Sequence, residues 1–117
     1  MGLFDMFKKR KSINFEEINS LAKAKEEFNN GNLEILYLLS PMFGGSKNEG
    51  NILYVPIGIN KLKESYDNIV ANLLKQGKVK SYNCTPEYKG ESFVPSKLTI
   101  TSGKDGNIVF KETINIW

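Results

Sequence analysis

The chain contains no histidine, a single cysteine, Cys84, and a single arginine, Arg10. Histidine is the commonest general base and the commonest transition-metal ligand, so its absence excludes Ser-His and Cys-His nucleophile pairs and histidine zinc sites. One thiol builds neither a zinc or iron–sulfur cluster nor an internal disulfide, which suits a reducing compartment. No apolar run approaches the ~18 residues of a membrane-spanning helix; the longest, Leu33 to Phe43, is interrupted by Glu34, Ser40 and Pro41. A secretory signal places its positive charge before its apolar stretch, and here the order is reversed, so a cytoplasmic location is the expectation. Walker, dinucleotide and calcium-loop sequences are all missing. Gly44-Gly45-Ser46-Lys47 is glycine-rich but lacks the spacing and the following helix of a phosphate loop. The expectation is a chain without cofactor or metal.

What is present is ordinary globular composition: 117 residues, 40% hydrophobic and 11% aromatic, enough for one domain with one modest core. The richness in Lys, Asn and Ile beside one Arg suggests an AT-rich bacterial genome. The net charge of +3 is unevenly placed. Residues 1–11, MGLFDMFKKRK, hold Lys8, Lys9, Arg10 and Lys11 against Asp5, so this stretch carries the whole excess and the rest of the chain is balanced. A sequence-independent nucleic-acid binder gathers surplus Lys and Arg on its folded surface, and the body of this chain has no surplus to gather. Residues 1–11 therefore read as a basic, amphipathic lead-in and residues 12–117 as the domain. Phe4 and Phe7, followed by the four cations, offer at most weak peripheral contact with an anionic membrane. Met6 stands where a myristoylation signal has Ser or Thr.

Periodicity orders the domain. Phe15, Ile18, Leu21, Ala22 and Phe28 recur at helical steps, which predicts a helix over 15–29 with Asn14 as N-cap and Asn30-Gly31 as terminator. LEILYLLS (33–40) and NILYVPI (51–57) read as strands, with Pro56 placing the second at an edge or ending its pairing there, and with a mobile, glycine-rich hairpin loop between them. Leu62, Tyr66, Ile69, Val70, Leu73 and Leu74 form one helix face, bounded by Asn60 as N-cap and Gly77 as C′ residue, and this helix is expected to cover one face of the sheet. VKSYNCT (79–85), SKLTITS (96–102) and NIVFKETINIW (107–117) follow as strands, the last two joined by GKDG. Ile108, Phe110, Ile114 and Ile116 are expected to point one way, interrupted by Glu112. The order α-β-β-α-β-β-β with short turns predicts an α+β domain: a single, mostly antiparallel sheet of about five strands with two helices.

No catalytic set stands out. Glu34, Glu49, Glu87, Glu91 and Glu112 are the acids from which a carboxylate-based enzyme or a ligand pocket would have to be made. Cys84 reads as a half-buried, inert thiol. The segment TPEYKGESFVP, held between Pro86 and Pro95, sets Tyr88 and Phe93 among Glu87, Lys89 and Glu91 on a loop, a mixture common in recognition surfaces. With Tyr82 and the terminal Trp117, these residues are the candidate partner-binding set. The leading expectation is a non-enzymatic protein-binding domain: a small bacterial immunity or inhibitor protein that neutralises a toxin or enzyme by direct binding. The alternatives are a peripheral membrane or nucleic-acid-associated protein acting through residues 1–11, and a carboxylate-based enzyme or ligand binder.

Overall fold

Leu33–Tyr37 (β1) and Ile52–Pro56 (β2) pair antiparallel in a register that sets Leu36 opposite Leu53 and Glu34 opposite Val55. The coordinates are a computed structural model that describes residues 13–117; the basic segment expected over 1–11 lies outside the described residues. Side chains alternate across a strand, so Leu36, Leu53 and Val55 share one face of the hairpin and Leu33 and Tyr54 the other. The first face meets Leu98, Ile100 and Ile114 of a second sheet, and the other meets Ile18, Ala24 and Val94. A strand buried on both faces has no solvent side to make polar, which is why both segments read as nearly continuous apolar runs.

The second sheet contains Asn83–Glu87 (β3), Lys97–Lys104 (β4) and Asn107–Asn115 (β5), antiparallel in that order. The chain is α+β with the expected element order, but its strands form two sheets, of two and three strands, where a single sheet was expected. The reason lies in the hairpin: with both of its faces apolar, it gains more by lying over the second sheet than by extending that sheet's edge. β3 also begins four residues later than the sequence suggests. The amides of Lys80 and Ser81 both donate to the Gly103 carbonyl, at 2.8 and 3.2 Å, and the ladder starts only beyond them.

β4 and β5 are joined by Asp105-Gly106, both with positive φ, the two-residue turn whose twist suits a hairpin. A register shift follows directly: Ser102 pairs with Phe110 and Gly103 with Ile108, leaving Val109 as the extra residue. The bulge reverses the alternation, so Ile108, expected inside with Phe110 and Ile114, is 64% exposed. A Cβ at Gly103 would run into the Asn107 carbonyl, so the bulge needs glycine there. On β5, Lys111 and Glu112 occupy adjacent exposed positions, with Glu112 opposite Ile100.

The first predicted helix is shorter than its pattern. Asn14 caps only a 3-10 turn, Phe15–Glu17, by accepting from the Glu16 amide at 3.1 Å. The α-helix, α1 (Leu21–Asn29), begins after Ser20, whose hydroxyl accepts from the Lys23 amide at 3.1 Å. Between them the Ile18 carbonyl accepts from the Phe93 amide at 2.7 Å, and the Phe15 carbonyl accepts from Ser92 Oγ at 2.6 Å. A continuous helix would turn these carbonyls to its own amides, so bonding to the 88–95 segment splits it.

The second helix, α2 (Ile59–Lys75), starts one residue ahead of the expected Asn60 cap, after Gly58 at φ 105°. Its cap comes from another element: Glu34 Oε1 accepts from the amides of Gly58 and Asn60 at 3.2 and 3.0 Å, while Asn60 Nδ2 donates to the Ile35 carbonyl at 2.6 Å. A carboxylate here satisfies free amides and opposes the positive end of the helix dipole. Glu34→Ala is expected to lower stability by about 1 kcal/mol, read as a fall in the urea midpoint; an unshifted midpoint would show that water caps these amides equally well. α2 lies against both sheets rather than one, with Ile59 and Tyr66 packed on the Leu36 cluster and Tyr66 6.2 Å from Phe110. Its buried positions are Lys63, Asp67 and Val70, whereas Leu62 and Ile69 of the expected apolar face are exposed.

The glycine-rich loop also differs from a featureless tip. It holds two 3-10 turns, Pro41–Phe43 and Glu49–Asn51, and the Asn51 side chain ties it shut through Leu39 N and O, both at 2.8 Å, and Ser46 O at 2.7 Å. Gly45 passes so close to the Leu39 carbonyl that no Cβ fits.

Candidate functional site

Most of the exposed candidates converge on the segment between β3 and β4. Ser96 closes it, its amide and hydroxyl donating to the Glu87 carbonyl at 2.7 and 3.2 Å. Ser92 braces it from within, donating to the Phe15 carbonyl and accepting from the Val94 amide at 3.0 Å. Behind it, Trp117 Nε1 donates to the Val94 carbonyl at 3.1 Å, its ring lies 5.4 Å from that of Phe15, and Lys89 Nζ sits 5.2 Å above it. Lys89 Nζ also donates to the Trp117 carbonyl at 2.8 Å. Val94 is fully buried. The loop is therefore fixed from behind, and what it turns outward is Tyr88, Glu91 and Phe93.

These three residues form one wall of a groove of about 550 Å³. Leu21 of α1 and Glu49, Ile52 and Tyr54 of the hairpin supply the other. Tyr88, Phe93 and Leu21 are 46%, 44% and 37% exposed, unusual for large apolar side chains gathered at one place. Phe28, seven residues further along α1 than Leu21, meets the Tyr54 ring edge-on at 6.0 Å. Between them on the same helix face, Lys25 Nζ pairs with Glu49 Oε1 at 2.8 Å, and the Glu49 hydrogen bond and charge raise the Lys25 pKa. Partial burial pushes the Tyr88 phenol up as well, so it stays neutral at physiological pH.

The remaining sequence candidates do other work. Trp117 and Lys89 brace the loop rather than line the groove. Glu87 is exposed on β3, opposite Lys97, and contributes its carbonyl to the clasp. Tyr82 lies elsewhere: its hydroxyl donates to Asp67 Oδ1 at 2.6 Å, Lys63 Nζ pairs with Asp67 Oδ2 at 2.7 Å and stands 5.3 Å from the Tyr82 ring, and Phe43 packs on that ring at 4.8 Å. Burial, reinforced by Asp67, holds the Tyr82 phenol far above its ordinary range. Burial likewise pushes the neighbouring Cys84 thiol up to about 11, away from the thiolate form that is the nucleophile. A second, polar cleft of about 620 Å³ borders this cluster, with Glu34, Tyr37, Met42 and Asn60 in its lining.

Among the five acids considered for a carboxylate site, Glu49 and Glu91 share the groove, Glu34 caps α2, and Glu87 and Glu112 stand on separate strands of the second sheet. Among the described residues no three His, Cys, Asp or Glu side chains are placed to hold a metal ion, and no helix is long and apolar enough to cross a membrane. Leu21, Lys25, Ile52 and Tyr54 carry no sequence signal of a shared site, and Glu49 was marked only as one acid of five; folding brings them to the 88–93 loop. A comparison with family models, curated proteins and solved structures finds no match to this chain.

Proposed function

We propose that the chain is a non-catalytic protein-binding domain, a small bacterial immunity or inhibitor protein that neutralises a toxin or enzyme by covering its working surface. The observation that carries this reading is the braced loop that holds Tyr88 and Phe93 half out of the fold beside Leu21. Fully burying a side chain of this size is worth about 1.5–3 kcal/mol, and aromatic residues concentrate the binding energy of protein interfaces. The clasp at Ser96 and the Trp117 brace matter for the same reason: a loop already fixed loses little conformational freedom when it binds. Inhibition by direct cover requires such a rigid, aromatic-bearing edge and no chemistry of its own.

The test is co-expression with the product of the adjacent gene. A stable complex and relief of that product's toxicity or activity are expected, and the double variant Tyr88→Ala/Phe93→Ala, folded by circular dichroism, should bind at least ~30-fold more weakly. Absence of both complex and protection would end the inhibitor reading. Unchanged binding by the double variant would move the interface elsewhere. The peripheral-membrane alternative rests on Phe4, Phe7 and Lys8 to Lys11, which lie outside the described residues.

A further inference from the structure

Among the described residues that line the groove, the charged ones are Glu49 and Glu91, both acids. They come from different segments, one from the turn that precedes β2 and the other from the loop that follows β3, with Leu21, Ile52, Tyr54, Tyr88 and Phe93 among the apolar side chains that share the lining. We infer that the groove receives a cationic, amphipathic segment of a partner protein, whose bulky apolar side chain seats against Leu21, Tyr88 and Phe93 while neighbouring Lys or Arg side chains reach Glu49 and Glu91. This rests on the reading of the groove as a protein-docking face and specifies what docks there.

Charge complementarity selects this occupant. An acidic segment would set like charge beside Glu91 and Glu49, and a neutral one would drive water from Glu91 with no counter-ion to replace it, a cost for any ion taken out of solvent. A phosphodiester or an anionic lipid surface would meet like charge at both rims. Glu49 is already paired with Lys25, yet both side chains are about half exposed or more, at 48% and 61% for Lys25 and Glu49. Exposed pairs of this kind contribute little, so an incoming cation can take the place of Lys25 at small cost. Arginine fits best, because its planar fork bonds a carboxylate with two parallel hydrogen bonds. Glu91 forms no ion pair among the described residues.

The experiment measures fluorescence anisotropy of three labelled peptides against the full chain: one in which Leu and Phe are interspersed with Arg and Lys, one with each cation replaced by Glu, and one with each apolar residue replaced by Ser. The cationic amphipathic peptide should bind at least ~10-fold more tightly than either control. Glu49→Gln/Glu91→Gln and Phe93→Ala should each weaken it about tenfold, and added salt should weaken it in the natural chain more than in the double Gln variant. Equal affinity for the cationic and acidic peptides would overturn the inference. If Phe93→Ala weakens binding but the double Gln variant does not, the stated partner chemistry falls and the docking face stands; if neither does, both readings fall. Tighter peptide binding by the full chain carrying Phe4→Ser/Phe7→Ser would identify the chain's own first residues as the occupant and overturn a partner protein. Self-association in sedimentation that competes with the peptide would do the same in favour of a second copy.

Discussion

Replacing Asp67 by alanine is expected to lower the free energy of unfolding by about 3–5 kcal/mol, the largest single effect in this protein. Lys63 and Asp67 are almost wholly inside, with side chains 3% and 4% exposed, and Asp67 answers two donors at once, Lys63 Nζ at 2.7 Å and the Tyr82 hydroxyl at 2.6 Å. Removing the carboxylate leaves a buried ammonium without its counter-ion and a half-buried phenol without its acceptor. Each is far more expensive inside the fold than in water. The intact pair is a different matter, because its attraction largely offsets the cost of drying both charges. The triple change Lys63→Met/Asp67→Leu/Tyr82→Phe is therefore expected to recover most of the loss, and Asp67→Asn to fall between, since the amide oxygen still accepts from Tyr82. Equilibrium unfolding in guanidinium reads all three. A cost for Asp67→Ala below about 1 kcal/mol would mean that water enters from the polar cleft and solvates Lys63.

Leu36→Ala is expected to cost about 3 kcal/mol, within the range for deleting a buried leucine side chain whose surroundings relax only in part. Leu36 is completely buried in the cluster where the hairpin meets the second sheet, in the company of Leu53, Val55, Leu98, Ile100 and Ile114. Ile108→Ala is the matched control. Its parent residue lies on β5 in an apolar pattern that reads as core, yet it is exposed beyond the bulge, and it should change stability by no more than about 0.5 kcal/mol. The contrast tests the stacking of the sheets directly. Comparable losses at the two positions would mean that the hairpin does not lie over β4 and β5 as described.

The α+β class and the order of elements were legible because they depend on local signals. Helical spacing, apolar runs and the turn residues Gly31, Gly77 and Asp105-Gly106 mark elements without reference to anything distant. The number of sheets was not legible, since alternation says which residues share a face and never which faces meet. Only the double-sided apolar character of LEILY and ILYVP hinted at a strand pair covered above and below. The rotation of α2 escaped for a related reason: Lys63 and Asp67 at i and i+4 have the spacing of a solvent-exposed ion pair, and only Tyr82, fifteen residues further on, completes the reason to bury them. At the groove, Tyr88, Glu91 and Phe93 were visible as aromatics and an acid between two prolines. Leu21 was not, and Glu49 was visible only as one acid among five, because the contact that makes them part of a site joins segments roughly forty to seventy residues apart. Trp117 could be read from the sequence either as a satellite core contact or as an exposed anchor, and its contacts with Val94, Phe15 and Lys89 form only on folding.

Among the described residues no strand pairs with the outer edge of β5. Nine residues of unpaired strand are a template on which another chain can add. Two copies pairing there antiparallel about a two-fold axis, with their whole length in register, would centre on Lys111, the middle of Asn107–Asn115. Lys111 would then face Lys111, and Glu112 would face Phe110 of the other copy. Like charges placed directly across a ladder repel, and a carboxylate against an aromatic ring loses its water for nothing. The two adjacent charges thus make this in-register pairing of two copies unfavourable, the way charged residues on an edge strand discourage sheets from growing from molecule to molecule.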